Sequence, residues 1–315
     1  MAFPRFQRRR WIQDCGWSAA ILSATLASAA WGGVRYSAVT ENAERERGWV
    51  VVEAEGDDLR VEFRERGDGM FRNGDYLITA DGGTTIYWVE PKKQRYSVLD
   101  LERIAGLTGR LLRGIPGVIG LEIDEPRVEK LFEEEAAPIL GQPTRHARYL
   151  MTYRERTRIT QPTKNGVEST REETWRQVVQ DVWFTHAIVA QSHDFWIRDR
   201  FDSGFADLDR LLAAENSLLE GFPLRVETVE VASSRDLSRT RLELSRSGRS
   251  VSHEAFLGAG SKKKDVSYTR RVTEVVQLET TPAPLAAERF LPPPGFAQRG
   301  GESAADTPGT AKSGR

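Results

Sequence analysis

Histidine does acid–base chemistry or binds metal near neutral pH, and this chain holds four. His186 and His193 stand seven residues apart. On a helix that spacing puts both on one face but about 10 Å apart along the axis, too far to share a metal without a third element between them. No Cys or Glu stands beside them at ligand spacing, so no metal site is assigned. Ser192-His193-Asp194 has the residue types of a hydrolytic triad. Neighbours in sequence point in different directions, however, and working triads are assembled from distant segments. His253-Glu254 lacks an identifiable partner, and Glu133-Glu134-Glu135 reads as a solvated charge run on a helix face. The glycines of Gly114-Ile115-Pro116-Gly117-Val118-Ile119-Gly120 suggest a phosphate loop, but no Gly-Lys-Ser/Thr follows. No catalytic residue and no cofactor is assigned, and the chain is expected not to be an enzyme.

The aromatic collection Tyr87, Trp88, Trp183, Phe184, Phe195, Trp196, Phe201 and Phe205 carries more weight. Each ring taken singly reads as ordinary core. As a set, apolar residues on a sheet facing amphipathic helices are what a lipophilic pocket requires. Its wall is expected to include Ile86, Trp88, Leu101, Ile104, Leu107, Trp183 and Leu211.

Positioning such a wall takes strands and helices, and the chain supplies signals for both. The clearest strand–turn succession runs from Gly74 to Asp100. Tyr76 to Thr79 is followed by Asp81-Gly82-Gly83, whose glycines accept the positive φ of a tight hairpin. Thr84 to Val89 is β-branched or aromatic nearly throughout, Pro91 ends it, and Arg95 to Leu99 resumes extended structure. Upstream, Trp49 to Ala54 and the alternating Leu59, Val61 and Phe63 predict two earlier strands. Helical spacing then takes over. Leu101, Ile104, Leu107, Leu111 and Leu112 predict one helix, Val128, Leu131 and Phe132 a second, and Leu208, Leu211, Leu212, Leu218 and Leu219 a third that ends at Gly221. Strands are expected again at His146 to Thr160, Glu172 to Phe184, Leu224 to Val231, Thr240 to Leu244 and Tyr268 to Leu278.

The 315 residues include 45 basic and 46 acidic ones, for a net charge of −1. That balance leaves no electrostatic footprint for nucleic acid or for an anionic membrane surface. Alternations such as Arg64-Glu65-Arg66 and Arg154-Glu155-Arg156 read as solvated, ion-paired faces. One cysteine, Cys15, excludes an internal disulfide. Arg5, Arg8, Arg9 and Arg10 precede an uncharged stretch from Cys15 to Val34, and Ala27-Ser28-Ala29 has the small-x-small pattern of a signal-peptidase site. A cleaved export signal ending at Ala29 or Ala30 is the first expectation. An inner-membrane anchor over 15–34 is the alternative.

The hairpin residues Asp81, Gly82, Tyr87, Pro91 and Tyr96, the step Gly221-Phe222-Pro223, and the closing Phe290, Pro293, Gly295 and Phe296 carry a resemblance. In them the chain resembles the LolA/LolB-like superfamily of bacterial envelope proteins, in its uncharacterised exported branch rather than the true lipoprotein carriers. The resemblance spans about Val50 to Phe296. It implies an α+β fold, a curved antiparallel half-barrel with helices packed on its concave face over a hydrophobic cavity. The expected organisation is a signal or anchor at 1–30, one domain at 31–297 with helical insertions at about 100–140 and 204–220, and a disordered tail at 298–315. The expected function is a non-enzymatic, periplasmic or exported protein that binds a lipid or acyl chain. The alternative is an envelope protein–protein interaction module without a ligand.

Overall fold

The computed structural model describes residues 32–42, 46–65, 71–80, 82–83, 85–100, 119–163, 166–190, 192–193, 202, 206–216, 220–234 and 266–299. Among these residues, twelve strands form one sheet. Six come from the first third of the chain: β1 (Val34–Asn42), β2 (Arg47–Glu55), β3 (Asp58–Glu65), β4 (Tyr76–Thr79), β5 (Thr85–Glu90) and β6 (Arg95–Asp100). Five follow at β7 (Ile119–Ile139), β8 (Gln142–Thr163), β9 (Gly166–Thr185), β10 (Phe222–Ser233) and β11 (Val266–Thr280), and β12 (Ala297–Arg299) closes the described chain. The order is β12-β6-β5-β4-β3-β2-β1-β11-β10-β9-β8-β7. Two antiparallel meanders, β1 to β6 and β7 to β11, are therefore zipped together where β1 meets β11, from Val34↔Thr280 to Asn42↔Arg271. Among the described strands only β12 pairs in parallel, against β6.

This sheet overturns the expected α+β half-barrel with helices on its concave face. Among the described residues there is one α-helix, α1 (Ala206–Asn216), beside two short 3-10 turns. The helix read from Val128, Leu131 and Phe132, and with it the helix face holding Glu133-Glu134-Glu135, is strand β7. Its pairing with β8 carries three register shifts, at Asp124/Arg127, Lys130/Phe132 and Ala136/Ile139. Each extra residue flips the side chains that follow to the other face. The shift at Lys130/Phe132 leaves Val128 beside Met151 on the core face and Phe132 opposite Arg148 on the other, so the three-and-one spacing of Val128, Leu131 and Phe132 collects residues from both faces of a strand rather than from one face of a helix. The helix expected over Leu101 to Leu112 and the strand over Thr240 to Leu244 lie outside the described residues, as does everything before Gly32. Two strands had no sequence reading of their own. β1 begins at Val34, the last residue of the uncharged stretch, and β12 puts Gln298 and Arg299 in a strand rather than a tail.

The main core occupies one face of the sheet. Val34, Tyr36, Val52, Leu59, Ile86 and Leu224 are all buried there in one cluster. Ala147, Tyr149, Val182, Phe184 and Val226 continue it. Beyond them Leu211 of α1 packs on Ile123, Met151 and Val178. The helix also shields the free edge of β7, because Asp207 accepts a hydrogen bond from the Ile123 backbone N–H at 3.3 Å. An exposed edge strand invites unwanted pairing. Pro126, Pro138 and a run of carboxylates on β7 serve the same protective end. Strands β7, β8 and β9 are 21, 22 and 20 residues long. β10 pairs with β9 only from Thr185 to Trp175, so among the described residues β7 to β9 continue past it as a three-stranded arm.

At the β5–β6 connection the turn predicted at Pro91 is a 3-10 turn, Pro91–Lys93, and Gln94 follows it in the left-handed region. Glu90 is buried beside it. The Arg95 guanidinium donates to its carboxylate at 2.5 Å and Lys93 donates as well. These bonds, Arg95 first, outweigh burial and hold the Glu90 carboxyl at about 2 instead of the ordinary 4.5. A pKa depressed by folding stabilises the protein above the unfolded value, and that contribution is lost as pH falls toward the folded one. Glu90→Gln is therefore expected to cost about 1–3 kcal/mol at neutral pH. The gap between variant and wild type should close between pH 4.5 and about 2. Urea unfolding at a series of pH values checks this, and a gap that does not change with pH would contradict it.

Candidate functional site

The residues expected to wall a pocket do not converge. Ile86 and Trp88 face the main core, where Phe63 stacks on Phe71 with centroids 4.4 Å apart and Phe71 meets Trp88 edge-on at 5.4 Å. The Trp88 indole N–H donates to Asp75 at 3.2 Å. Leu211 belongs to the separate cluster under α1. Trp183 projects from the opposite face of the sheet to its neighbours Val182 and Phe184. Leu101, Ile104 and Leu107 lie outside the described residues, with Phe195, Trp196, Phe201 and Phe205.

Trp183 instead belongs to a buried polar cluster that joins the middle strands of the second meander. Its ring stacks on His146, 4.2 Å between centroids and 3° from parallel, and Phe132 meets the imidazole edge-on at 5.0 Å. His146 Nε2 bonds Asp181 Oδ1 at 2.7 Å, and Arg148 grips both oxygens of the same carboxylate at 2.7 and 3.0 Å. The neighbouring strands extend the network: Arg225 lies 5.0 Å over Trp183, and Glu227 accepts from Arg270 at 2.9 Å and Arg225 at 3.4 Å. A histidine–carboxylate pair is what activates a nucleophile in acyl transfer. Here Nδ1 faces Glu134 at 3.9 Å, and the ring is enclosed by Trp183 and Phe132. Arg148 and Asp181 are only 2% and 3% exposed. The arrangement locks strands together and leaves a substrate no approach.

The other sequence candidates are dispersed. His193 Nδ1 lies 3.2 Å from the Tyr36 hydroxyl, which also accepts from the His193 backbone N–H at 2.9 Å. His186 packs edge-on against Phe184 at 5.3 Å. Asp194, His253 and Glu254 lie outside the described residues. Among the described residues no group of three or more His, Cys, Asp or Glu side chains could hold a metal ion.

What does gather is apolar surface at one end of the sheet. The β2–β3 turn, the start of β1, the segment following β9, the start of β10 and the β7–β8 turn all lie there, as the pairings Val34↔Ala54, Phe222↔Thr185 and Ile139↔Gln142 require. Two clefts share His186. One of about 460 Å³ is lined by Gly56, Asp57, Ile188, Val189, Ala190 and Gly221. The other, about 450 Å³, runs along Ala136, Pro138, Pro143 and Ala187, with Glu135 and Arg145 also lining it. Ile188 and Ile139 turn inward to the main core. Their neighbours Val189 and Leu140 are left 73% and 43% exposed. Leu140 and Gly141 form the two-residue loop between β7 and β8, with φ of 51° and 75°. Such a turn favours Asn, Asp or Gly, and a leucine there is strained by roughly 1 kcal/mol. A residue both strained and apolar at an exposed tip is held there against its own conformational preference. The sequence does carry the signal, Leu-Gly between two β-prone runs, but it is hidden once β7 is read as a helix.

No protein-family model matches the chain, and no curated protein matches it. Among solved structures it is similar to an uncharacterized conserved protein from Thermus thermophilus, at 9% identity and a TM-score of 0.31, over 86% of this chain and 91% of that one. A likeness that distant says nothing of function. Among the described residues no helix is long and apolar enough to cross a membrane.

Proposed function

We propose that this chain is a non-enzymatic protein of the bacterial cell envelope, exported through its N-terminal segment, that engages a lipid or other lipophilic partner at the apolar end of the sheet. The carrying observation is Leu140, exposed at a hairpin tip in a backbone conformation that leucine disfavours. Val189 and the two clefts around His186 extend the same surface. Binding there is driven by burial of apolar area, about 25 cal/mol per Å². The N-terminal signal pattern before Ala30 supports the export half of the proposal.

The test separates binding from folding. Leu140→Asn places a favoured residue in the turn and is expected to raise the thermal midpoint by about 2–4 °C. Combined with Val189→Ser, it is expected to abolish crosslinking of a photoactivatable fatty acid to peptides 136–143 and 185–190 of the full chain, mapped by mass spectrometry. Crosslinks confined to the N-terminal run in the wild-type protein would sink the proposal. Crosslinking to a copurifying protein at the same peptides, with none to lipid, would assign the surface to a protein partner instead.

A further inference from the structure

We propose that the arm of β7 to β9 carries a binding site for a phosphate-type oxyanion, made by Arg158 and Arg171 with the hydroxyls of Thr160 and Ser169. The register places Arg158 directly opposite Arg171, and Thr160 directly opposite Ser169, in adjacent rows on one face of the arm. The two hydroxyls are already 3.3 Å apart. Two guanidinium groups and two hydroxyls on neighbouring rows make a donor-only surface apart from the hydroxyl lone pairs, which matches the several oxygens of a phosphate.

The charges along this face explain why the pair stands out. Arg154 bonds Asp124 at 3.1 Å and Glu173 at 2.9 Å, and Arg156 bonds Asp124 at 2.6 Å. Asp124 and Glu173 are thereby taken up by the two arginines nearer the sheet, and Glu122 stands 4.0 Å from Arg156. Arg158 and Arg171 have no carboxylate within ion-pair distance among the described residues, and like charges directly opposite each other on a sheet are destabilising. On the third strand the position opposite Arg158 is Gly120, which adds no side chain to fill the row. A groove of about 590 Å³ includes both arginines and Arg156, with Glu122, Glu172 and Glu173 also lining it. An anion bridging the two guanidiniums removes their repulsion and gains charge-assisted hydrogen bonds at once.

The same chemistry would be offered by free phosphate and by a phosphate on a lipid headgroup. The experiment titrates the detergent-solubilised full chain with inorganic phosphate at constant ionic strength, with chloride as control, by calorimetry. A second arm measures flotation with vesicles of phosphatidylcholine with and without phosphatidic acid. Saturable phosphate binding by the wild-type protein is expected, with a loss of about tenfold or more in affinity in both Arg158→Glu and Arg171→Glu. Arg171→Glu also puts a carboxylate opposite Arg158, so its thermal midpoint in phosphate-free buffer is expected to rise above that of the wild type, which shows that the variant is folded. Recruitment to phosphatidic acid, lost in the same variants, would identify the headgroup as the source. Phosphate binding without recruitment would identify the free anion. Equal behaviour of wild type and Arg171→Glu in both arms, or no binding in either, would overturn the proposal.

Discussion

Asp181→Ala is expected to destabilise the protein by about 3–5 kcal/mol, the range for stranding one partner of a buried ion pair. The carboxylate neutralises Arg148, whose side chain is 2% exposed, and also holds His146 Nε2. Without it the guanidinium keeps its charge, since arginine does not deprotonate in proteins, and loses the bidentate carboxylate that faces it. Asp181→Asn retains acceptor geometry at one oxygen and should cost less. The double variant Arg148→Met with Asp181→Leu should be milder still than Asp181→Ala, because removing both partners leaves no uncompensated charge. Guanidinium chloride unfolding of the three variants gives the ranking. A double variant less stable than Asp181→Ala would show that the cluster stabilises the sheet through its polar network rather than merely through mutual neutralisation.

Gly32→Ala is expected to be nearly as damaging, at about 2–3 kcal/mol or more, for a steric reason. A Cβ at Gly32 would stand 1.9 Å from the Thr281 carbonyl oxygen, 2.6 Å from that of Ala283 and 2.8 Å from the Pro282 carbonyl carbon, all of them backbone. The segment cannot retreat freely. Thr281 donates its backbone N–H and its hydroxyl to the Gly33 carbonyl, each at 2.9 Å, and the Leu285 N–H donates to Glu55 at 2.5 Å. At Gly33 the clash is with the Leu285 side chain, at 2.2 Å from Cγ, which has rotamers to move through. Gly33→Ala should therefore be the milder change. Thermal midpoints order the pair, at about 2–4 °C per kcal/mol for a chain of this size. Because this contact joins the start of β1 to the segment after β11, Gly32→Ala should also speed hydrogen exchange along the β1–β11 seam. Protection unchanged there would argue that the clamp is local.

Much of the sheet was legible from local chemistry. Thr85 to Glu90 pairs on both sides as its β-branched and aromatic run implies, and Gly82 and Gly83 take the positive φ their turn requires, 66° and 97°. Leu211 sits on a helix that covers apolar side chains, as its spacing with Leu212 suggests. The candidate sites were less legible. Ile86 and Trp88 do share a cluster, yet Phe63 and Phe71 fill the space beside them. Trp183 groups with them by residue type, but one residue of parity decides the face, and that parity is set by the pairing with His146 and Arg225. The arginine-rich stretch of β8 reads in sequence as uniformly ion-paired. Only the alignment of β8 against β9 distinguishes Arg156, opposite Glu173, from Arg158, opposite Arg171.

By itself, then, the sequence determined the properties that depend on near neighbours: the strands and turns from Tyr76 to Leu99, glycine at turns that need positive φ, a balance of basic and acidic residues and an apolar N-terminal run after four arginines. Tertiary structure decided everything that depends on register. The register of β7 against β8 put Val128 and Phe132, read as one helical face, on opposite faces of a strand, the β1–β11 pairing joined two meanders into one sheet, and a hairpin turn brought Leu140 to an exposed tip at the end where Val189 also lies. The physical reason is common to all three. A strand presents opposite faces at alternate residues, so a single inserted residue exchanges core for surface, and the partner strand that sets the alignment can lie more than two hundred residues away.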